Sequence, residues 1–373
     1  MNEKKICPYC GAQIDAQARF CTYCGHKLTG SNDAIHQGTE KMSDMIGESI
    51  GVSGKSYFNV KDLFTEVFKK HGMDDEDEIF IAGTRKTTPD LKDVITNWPK
   101  PWAYSRVFLV LFLTSALLYI MVSNFNNSNM LPGFIFMAAL TIPFSVLIFF
   151  WEVNAPRNIS FFIVLRTFLI GGAMALLSAL FLYLFDHSTG SMTWTYALVI
   201  GFIEEVAKLV VSAFFISRRK YPFILNGLLI GAAVGAGFAV FETSGYIFNY
   251  FLYYLNVASR GGYNAALQFA VGQSLNVAVV RGLTSLGGHV VWSAITCAGF
   301  VAAMSETKSM SEAAFSKRTL TFLVAAMILH ALWDAPINVL GVVRYVVLIV
   351  IAWFIVLNLI SAGLRQIQQL SHH

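Results

Sequence analysis

Residues 194–216 read WTYALVIGFIEEVAKLVVSAFFI, a stretch that is apolar at both ends and charged in its middle, at Glu204, Glu205 and Lys208. About 20 apolar residues are needed to cross roughly 30 Å of hydrocarbon as a helix. A charged side chain at the bilayer centre costs roughly 2.5–3.5 kcal/mol on insertion scales. Three of them in one span therefore indicate a functional site within the membrane.

Apolar stretches of similar length recur from residue 104 onward, and 55% of the 373 residues are hydrophobic against 13% charged. Soluble domains carry about 25% charged residues, so the composition excludes an ordinary soluble protein. It predicts an all-α polytopic membrane protein of about eight transmembrane helices. The predicted spans are 105–123, 131–151, 159–185, 194–216, 223–250, 283–304, 319–341 and 344–364. The region 251–282 is left open between a re-entrant and an interfacial segment.

The amino-terminal part predicts a small zinc-ribbon domain at residues 1–28. Two C-x-x-C-G knuckles, with Cys7, Cys10, Cys21 and Cys24, place four thiolates for a structural zinc ion. Disulfides are the alternative, but they are disfavoured if this end is cytoplasmic. A flexible linker is expected at 29–56, an amphipathic cytoplasmic lead-in at 57–103, and the transmembrane domain at 104–365.

Basic residues indicate the orientation of the spans. The loop 217–220 and the connection 305–318 are rich in Lys and Arg, which favours the cytoplasmic side for them and for both termini. The formal net charge of +4 follows from this loop bias. Because the sequence has no basic stripe interleaved with aromatic residues, nucleic acid is not expected as a partner; the lipid bilayer is.

Three short motifs place polar side chains one helical turn apart inside predicted spans. Glu204 and Lys208 are four residues apart and can pair, which leaves Glu205 about 100° away and free to serve another role. Glu242 and Tyr246 have the same spacing, so the phenol could orient the carboxylate.

The third motif is His330-Ala-Leu-Trp-Asp334, in which Asp334 could orient the imidazole. His289 follows two glycines in another span. With the predicted topology, these histidines and the three glutamates fall at mid-membrane or in the outer half of the bilayer.

Carboxylates and imidazoles at one depth allow two kinds of chemistry. Glu205, Glu242, His289 and His330 could bind a catalytic zinc or another divalent metal. The same groups could instead hydrolyse a peptide bond without metal, with a carboxylate activating water and a histidine donating a proton. Both alternatives remain open from the residues alone.

The order E-E-x-x-K, F-E-x-x-x-Y and H-x-x-x-D resembles the PrsW family of intramembrane proteases over roughly residues 85–365. That family is distantly similar to the CAAX-processing and bacteriocin-processing proteases. The resemblance implies Glu204, Glu205 and Glu242 as catalytic acids with His289 and His330 as their basic partners. One departure is Tyr246, where the family pattern often has another acid.

The expected function is therefore intramembrane proteolysis, with Glu205 activating water assisted by Glu204, and with Asp334 and Tyr246 as orienting residues. The resemblance implies a substrate such as a membrane-anchored anti-sigma factor or a processed peptide. A bacterial cell membrane is the expected location, and the zinc ribbon is expected to bind a protein partner. Two alternatives from other classes are an ion- or proton-coupled transporter and a catalytically inactive membrane scaffold. The chain shows no convincing internal repeat of the kind that many transporters have.

Overall fold

The computed structural model describes residues 4–6, 13–15, 33–52, 54, 58–84, 86–186, 192–218, 221–258, 262–337 and 341–371. The chain divides into two compact units, Met1–Met45 and Ile46–His373. The predicted zinc ligands Cys7, Cys10, Cys21 and Cys24 lie outside the described residues.

The first unit contains a two-stranded antiparallel sheet of β1 (Lys4–Ile6) and β2 (Gln13–Asp15), with Lys5 opposite Ile14. Helix α1 (Asp33–Ile50) follows. It differs from the flexible linker expected at 29–56. The physical reason is that Met42, Ile46 and Ile50 recur every four residues and so share one face of a helix. Within the second unit, Ile50 at the end of this helix is buried.

The second unit is a helical bundle preceded by the short helices α2 (Asp62–Thr65) and α3 (Met73–Phe80). Its helices are α4 (Ala103–Ser123), α5 (Leu131–Glu152), α6 (Phe161–Arg166), α7 (Gly172–Tyr183), α8 (Trp194–Ser217), α9 (Ile224–Ala258), α10 (Tyr263–Thr284), α11 (His289–Met304), α12 (Met310–Ala314), α13 (Lys317–Asp334) and α14 (Gly341–Ser371). A π-helical turn at Thr167–Gly171 joins α6 to α7, so the two form one pass.

Six helical stretches of the described residues are long and apolar enough to cross a membrane, by length and composition. They are Ala103–Ser123, Ser128–Glu152, Phe161–Tyr183, Ile224–Ala258, Asn264–Met304 and Gly341–Ser371. Helices α8 and α13 have 24 and 18 residues, but each contains three charged side chains. Counted with these two, the described helices form eight passes, and the prediction of an all-α membrane protein with about eight transmembrane helices is confirmed.

The region 251–282 is helical. Helix α9 has 35 residues, about 52 Å at 1.5 Å per residue, which exceeds the thickness of the hydrocarbon core. Its second half packs against α10, as the rings of Tyr254 and Phe269 show at 5.7 Å. Its first half packs against α11. Helices α10 and α11 thus form one pass, interrupted by a 3-10 turn at Ser285–Gly287.

Glycines on α9 allow α11 to approach closely, as the small-x-x-x-small pattern predicts. A Cβ atom at Gly231 would collide with the backbone of Ser293, and one at Gly235 would collide with the carbonyl of His289. The close approach of the two backbones fixes the position of His289 along the helix axis relative to Glu242 on α9.

Candidate active site

Four helices bring the predicted site residues together at one level of the bundle. We measured each distance along the residue's own helix, at about 1.5 Å per residue, from the terminus on the side where α8 ends and α9 begins. It is about 20 Å for Glu204 and His330, about 22 Å for His289 and about 27 Å for Glu242. Since each group comes from a different helix, the site exists only when α8, α9, α11 and α13 are packed together.

Glu205 lies in the interior of the bundle, with 0% of its surface exposed. The Nζ atom of Lys208, itself 1% exposed, donates to Oε1 of Glu205 at 2.6 Å, and Nδ1 of His330 lies 2.9 Å from the same oxygen. The predicted partner Glu204 is farther from Lys208, at 3.8 Å. Residues three and four apart both face each other on a helix, and the side-chain conformation here favours the closer neighbour.

Glu204 presents one carboxylate oxygen to both histidines. Its Oε1 accepts a hydrogen bond from the phenol of Tyr183 at 3.0 Å. Its Oε2 is buried and has no hydrogen-bond partner among the described residues. That oxygen lies 3.8 Å from Nδ1 of His289 and 3.8 Å from Nε2 of His330. A buried carboxylate oxygen without a partner is costly, so its position between two imidazoles calls for a cation or a proton donor.

Each imidazole is held at its other nitrogen by a carboxylate. Nε2 of His289 lies 3.0 Å from Oε2 of Glu242, and Nδ1 of His330 is bound to Glu205 as described above. The ring of His330 also stacks on Trp292 at 4.5 Å. These contacts orient both rings so that the remaining nitrogens point toward Glu204.

Asp334 lies beside the same nitrogen of His330 that faces Glu204. Its Oδ2 is 3.3 Å from Nε2, the one-turn spacing that the sequence predicted. With 27% of its side chain exposed, Asp334 is more accessible than the other carboxylates around the two histidines.

Arg281 on α10 is a member of the site that the sequence analysis did not include. Its guanidinium donates to Oε2 of Glu242 at 2.8 Å and lies 4.1 Å from the ring centre of Tyr246. Tyr246, which was expected to orient Glu242, is thus placed against the arginine that binds this carboxylate. The cost of a charge in an apolar helix would have identified Arg281, whereas no sequence signal distinguishes Tyr183.

A cavity of about 590 Å³ opens beside these groups. Its charged and imidazole lining includes Glu204, Glu242, Arg281, His289, His330 and Asp334, and apolar and aromatic side chains of α7, α8, α9 and α13 also line it. Glu205 and Lys208 are not among the residues that line it. The cavity is therefore bordered by Glu204 rather than by its neighbour.

The donor set of Glu204, His289 and His330 fits a divalent metal. One ligand atom from each lies within 4.8 Å of the others. Tetrahedral zinc with bonds of about 2.0–2.1 Å separates its ligand atoms by about 3.4 Å, so the two observed separations of 3.8 Å need to close only slightly. Metal-bound histidines also donate their second nitrogen to a carboxylate, as both of these rings are placed to do.

Among the described residues, Lys208 places its ammonium group close to this position. Its Nζ lies 2.9 Å from Nδ1 of His289 and 3.8 Å from Oε2 of Glu204. Binding of a metal by Nδ1 of His289 requires the ammonium group to move away from that nitrogen.

The interruption between α10 and α11 is held by α14. Nε1 of Trp353 donates to the carbonyl of Leu286 at 2.7 Å. Since α11 begins at His289, this contact fixes the backbone three residues before the start of the helix that carries the imidazole.

Comparison with known proteins gives two family matches. A zinc-ribbon domain model matches residues 3–28, and a model described as the PrsW family intramembrane metalloprotease matches residues 156–359. None of the curated proteins or solved structures matches the chain. The longer match covers more than half of the chain and contains every predicted site residue of the membrane domain, and both resemblances expected from the sequence are confirmed. With a zinc ribbon at its amino terminus and these helices in its membrane domain, the chain belongs to the PrsW family of intramembrane metalloproteases.

Proposed function

We propose that this protein hydrolyses a peptide bond in or near a membrane-embedded protein, with a divalent metal held by Glu204, His289 and His330. One observation carries the proposal: the unpartnered Oε2 of Glu204 lies 3.8 Å from a nitrogen of each histidine. The opposite nitrogen of each ring is bound to a separate carboxylate, Glu242 or Glu205.

A metal bound there would supply Lewis-acid activation of water and of the scissile carbonyl. The protein's own groups supply the rest. Glu205 and Glu242 hold the two imidazoles in the orientation that the metal requires. Asp334, which lines the cavity beside His330, accepts the proton from the attacking water and returns it to the leaving amine. The guanidinium of Arg281 compensates the charge of Glu242.

This assignment replaces Glu205 with Asp334 as the residue that handles the proton. Glu205 is fully buried and is shared between Lys208 and His330, so water cannot reach it without displacing one of them. We therefore propose that Glu205 positions His330 and that Glu204, which lines the cavity, binds the metal.

The finer biological assignments are proposals of the same kind. The substrate is a membrane-anchored protein, with an anti-sigma factor as the type that the family resemblance favours. The cell membrane of a bacterium is the proposed location, with both termini in the cytoplasm, as the basic loops favour. The zinc ribbon is proposed to bind structural zinc through its four cysteines and to recruit a protein partner.

Metal content tests the donor set independently of any substrate. In a chain carrying Cys7→Ser and Cys10→Ser, ribbon zinc is removed, and we expect about one equivalent of metal to remain. His330→Ala or Glu204→Gln should lower this to a small fraction, because a site with two ligands binds weakly. If the ribbon-deficient chain contains no metal but keeps full activity, the metal assignment is wrong.

Peptidase activity can be tested before the substrate is known. Purified chain is incubated with membrane vesicles whose proteins are then analysed for new amino termini by mass spectrometry. We expect new termini within or close to single membrane spans, absent with Glu204→Gln. Identical sets of termini for the two proteins would contradict the proposed activity.

A further inference from the structure

The segment 58–70, which precedes the first span, has exposed apolar side chains on one side. Val60, Phe64 and Phe68 are spaced four residues apart, and Phe64 and Phe68 are 50% and 89% exposed. Leu63, which directly precedes Phe64, is buried instead. We call the exposed side chains of Val60, Phe64 and Phe68 the phenylalanine face. Exposed apolar side chains that recur on one side of a segment indicate contact with another protein or with a membrane.

Two hydrogen bonds fix the height of this segment. The phenol of Tyr104 donates to the carbonyl of Leu63 at 3.2 Å, and the guanidinium of Arg106 donates to the carbonyl of Lys69 at 3.1 Å. Both donors lie in the first turn of α4, which is long and apolar enough to span the membrane. The segment is thus held at the level where the first span begins, next to its lipid-facing surface.

We propose that the phenylalanine face inserts into the bilayer at the boundary between headgroups and acyl chains. Phenylalanine is among the residues that form the inserted face of interfacial amphipathic segments, which bury their apolar side by about 5–10 Å at the boundary between headgroups and acyl chains. Lys61 and Lys69 flank the apolar residues and are exposed. Their long side chains can reach the headgroup layer while their aliphatic carbons remain in apolar surroundings.

The charge of the segment distinguishes an apolar contact from an electrostatic one. The segment 58–70 has three lysines and two acids, a net charge of only +1, and the five acids at 74–78 make the net charge of residues 58–80 −4. Attraction to anionic lipids therefore does not drive the contact. Insertion should persist in a bilayer made only of zwitterionic phosphatidylcholine.

Photocrosslinking of the full chain in phosphatidylcholine nanodiscs tests the proposal. The photoreactive analogue p-benzoyl-phenylalanine replaces Phe64 or Phe68, and in a matched control it replaces Thr65, which is also exposed but points about 100° away from Phe64 on the same helical turn. We expect lipid adducts at position 64 at several times the yield at position 65, and lipid adducts at position 68 as well.

Three results would overturn the proposal. Crosslinks from position 68 to the zinc ribbon or to a second copy of the chain would show that protein covers this face. Absence of any lipid adduct would place it in water, and a strict requirement for anionic lipid would show an electrostatic contact. If the variant at position 68 unfolds, as judged by its thermal transition, the same reagent at Phe64 gives the decisive measurement.

Discussion

Neutralising Glu205 tests whether this carboxylate positions other groups or performs chemistry. Glu205→Gln leaves the buried ammonium of Lys208 with only Glu204, at 3.8 Å, as a negatively charged neighbour within salt-bridge distance among the described residues. Breaking a buried ion pair by removing one partner costs about 3–5 kcal/mol. We expect a loss of this size in the free energy of unfolding, and a similar loss for Lys208→Met.

A variant that carries both substitutions tests whether the loss of stability comes from the broken ion pair. Glu205→Gln combined with Lys208→Met removes both charges, so only the hydrogen bond between Glu205 and His330 is weakened. A hydrogen bond to a charged group contributes about 1.5–3 kcal/mol. The double variant should therefore be no less stable than either single variant, with a coupling energy of about 3 kcal/mol.

Equilibrium unfolding in mild detergent micelles measures these free energies, and metal content and activity are measured on the same samples. A matched control is Glu306→Gln, which breaks a 2.9 Å pair with Arg318 in which the glutamate is 59% exposed. It should cost at most about 1 kcal/mol. If the costs at Glu205 and Lys208 add to within about 0.5 kcal/mol, or if Glu205→Gln abolishes activity with unchanged stability, the positioning role is refuted.

Other perturbations have separable readouts. Asp334→Asn should lower the turnover rate by about 100-fold or more while metal content stays unchanged; parallel loss of metal would make it a ligand. Gly235→Ala should destabilise the fold by about 1–3 kcal/mol, because the new Cβ meets the carbonyl of His289. Gly245→Ala on the same helix, where the new Cβ would meet no neighbouring helix or side chain within 4 Å among the described residues, is the control, and equal thermal transitions for the two would contradict the packing argument. Arg281→Gln should weaken metal binding, because Glu242, which orients His289, loses its contact with the guanidinium. Titration with zinc measures this change.

Much of the fold could be predicted because the bilayer limits which sequences can cross it. Helices α8 and α13 were identified from the sequence although their charges lower their hydropathy, because apolar residues flank those charges. The spacing of His330 and Asp334 likewise predicted their contact, since one helical turn fixes that distance.

Contacts between helices far apart in sequence were not predictable in the same way. The pairing of Arg281 with Glu242 depends on how α10 folds back on α9. The choice between Glu204 and Glu205 as the residue at the cavity depends on the rotation of α8 within the bundle. The helix α1 was missed because the small polar residues around Met42 and Ile46 obscured its apolar spacing.

The pairing of charges within single helices has a consequence for biosynthesis. Helices enter the bilayer in order, so α8 is expected to leave the insertion machinery before α11 and α13 have been synthesised. The contact between Glu205 and Lys208 lies entirely within α8 and gives this segment its own counter-ion during insertion. Glu242 finds Arg281 on the next helix along the chain, so that hairpin can enter as a neutral pair. Bonds to the histidines form last, and until then Glu204 has the hydrogen bond from Tyr183 on the preceding helix and Lys208 at 3.8 Å.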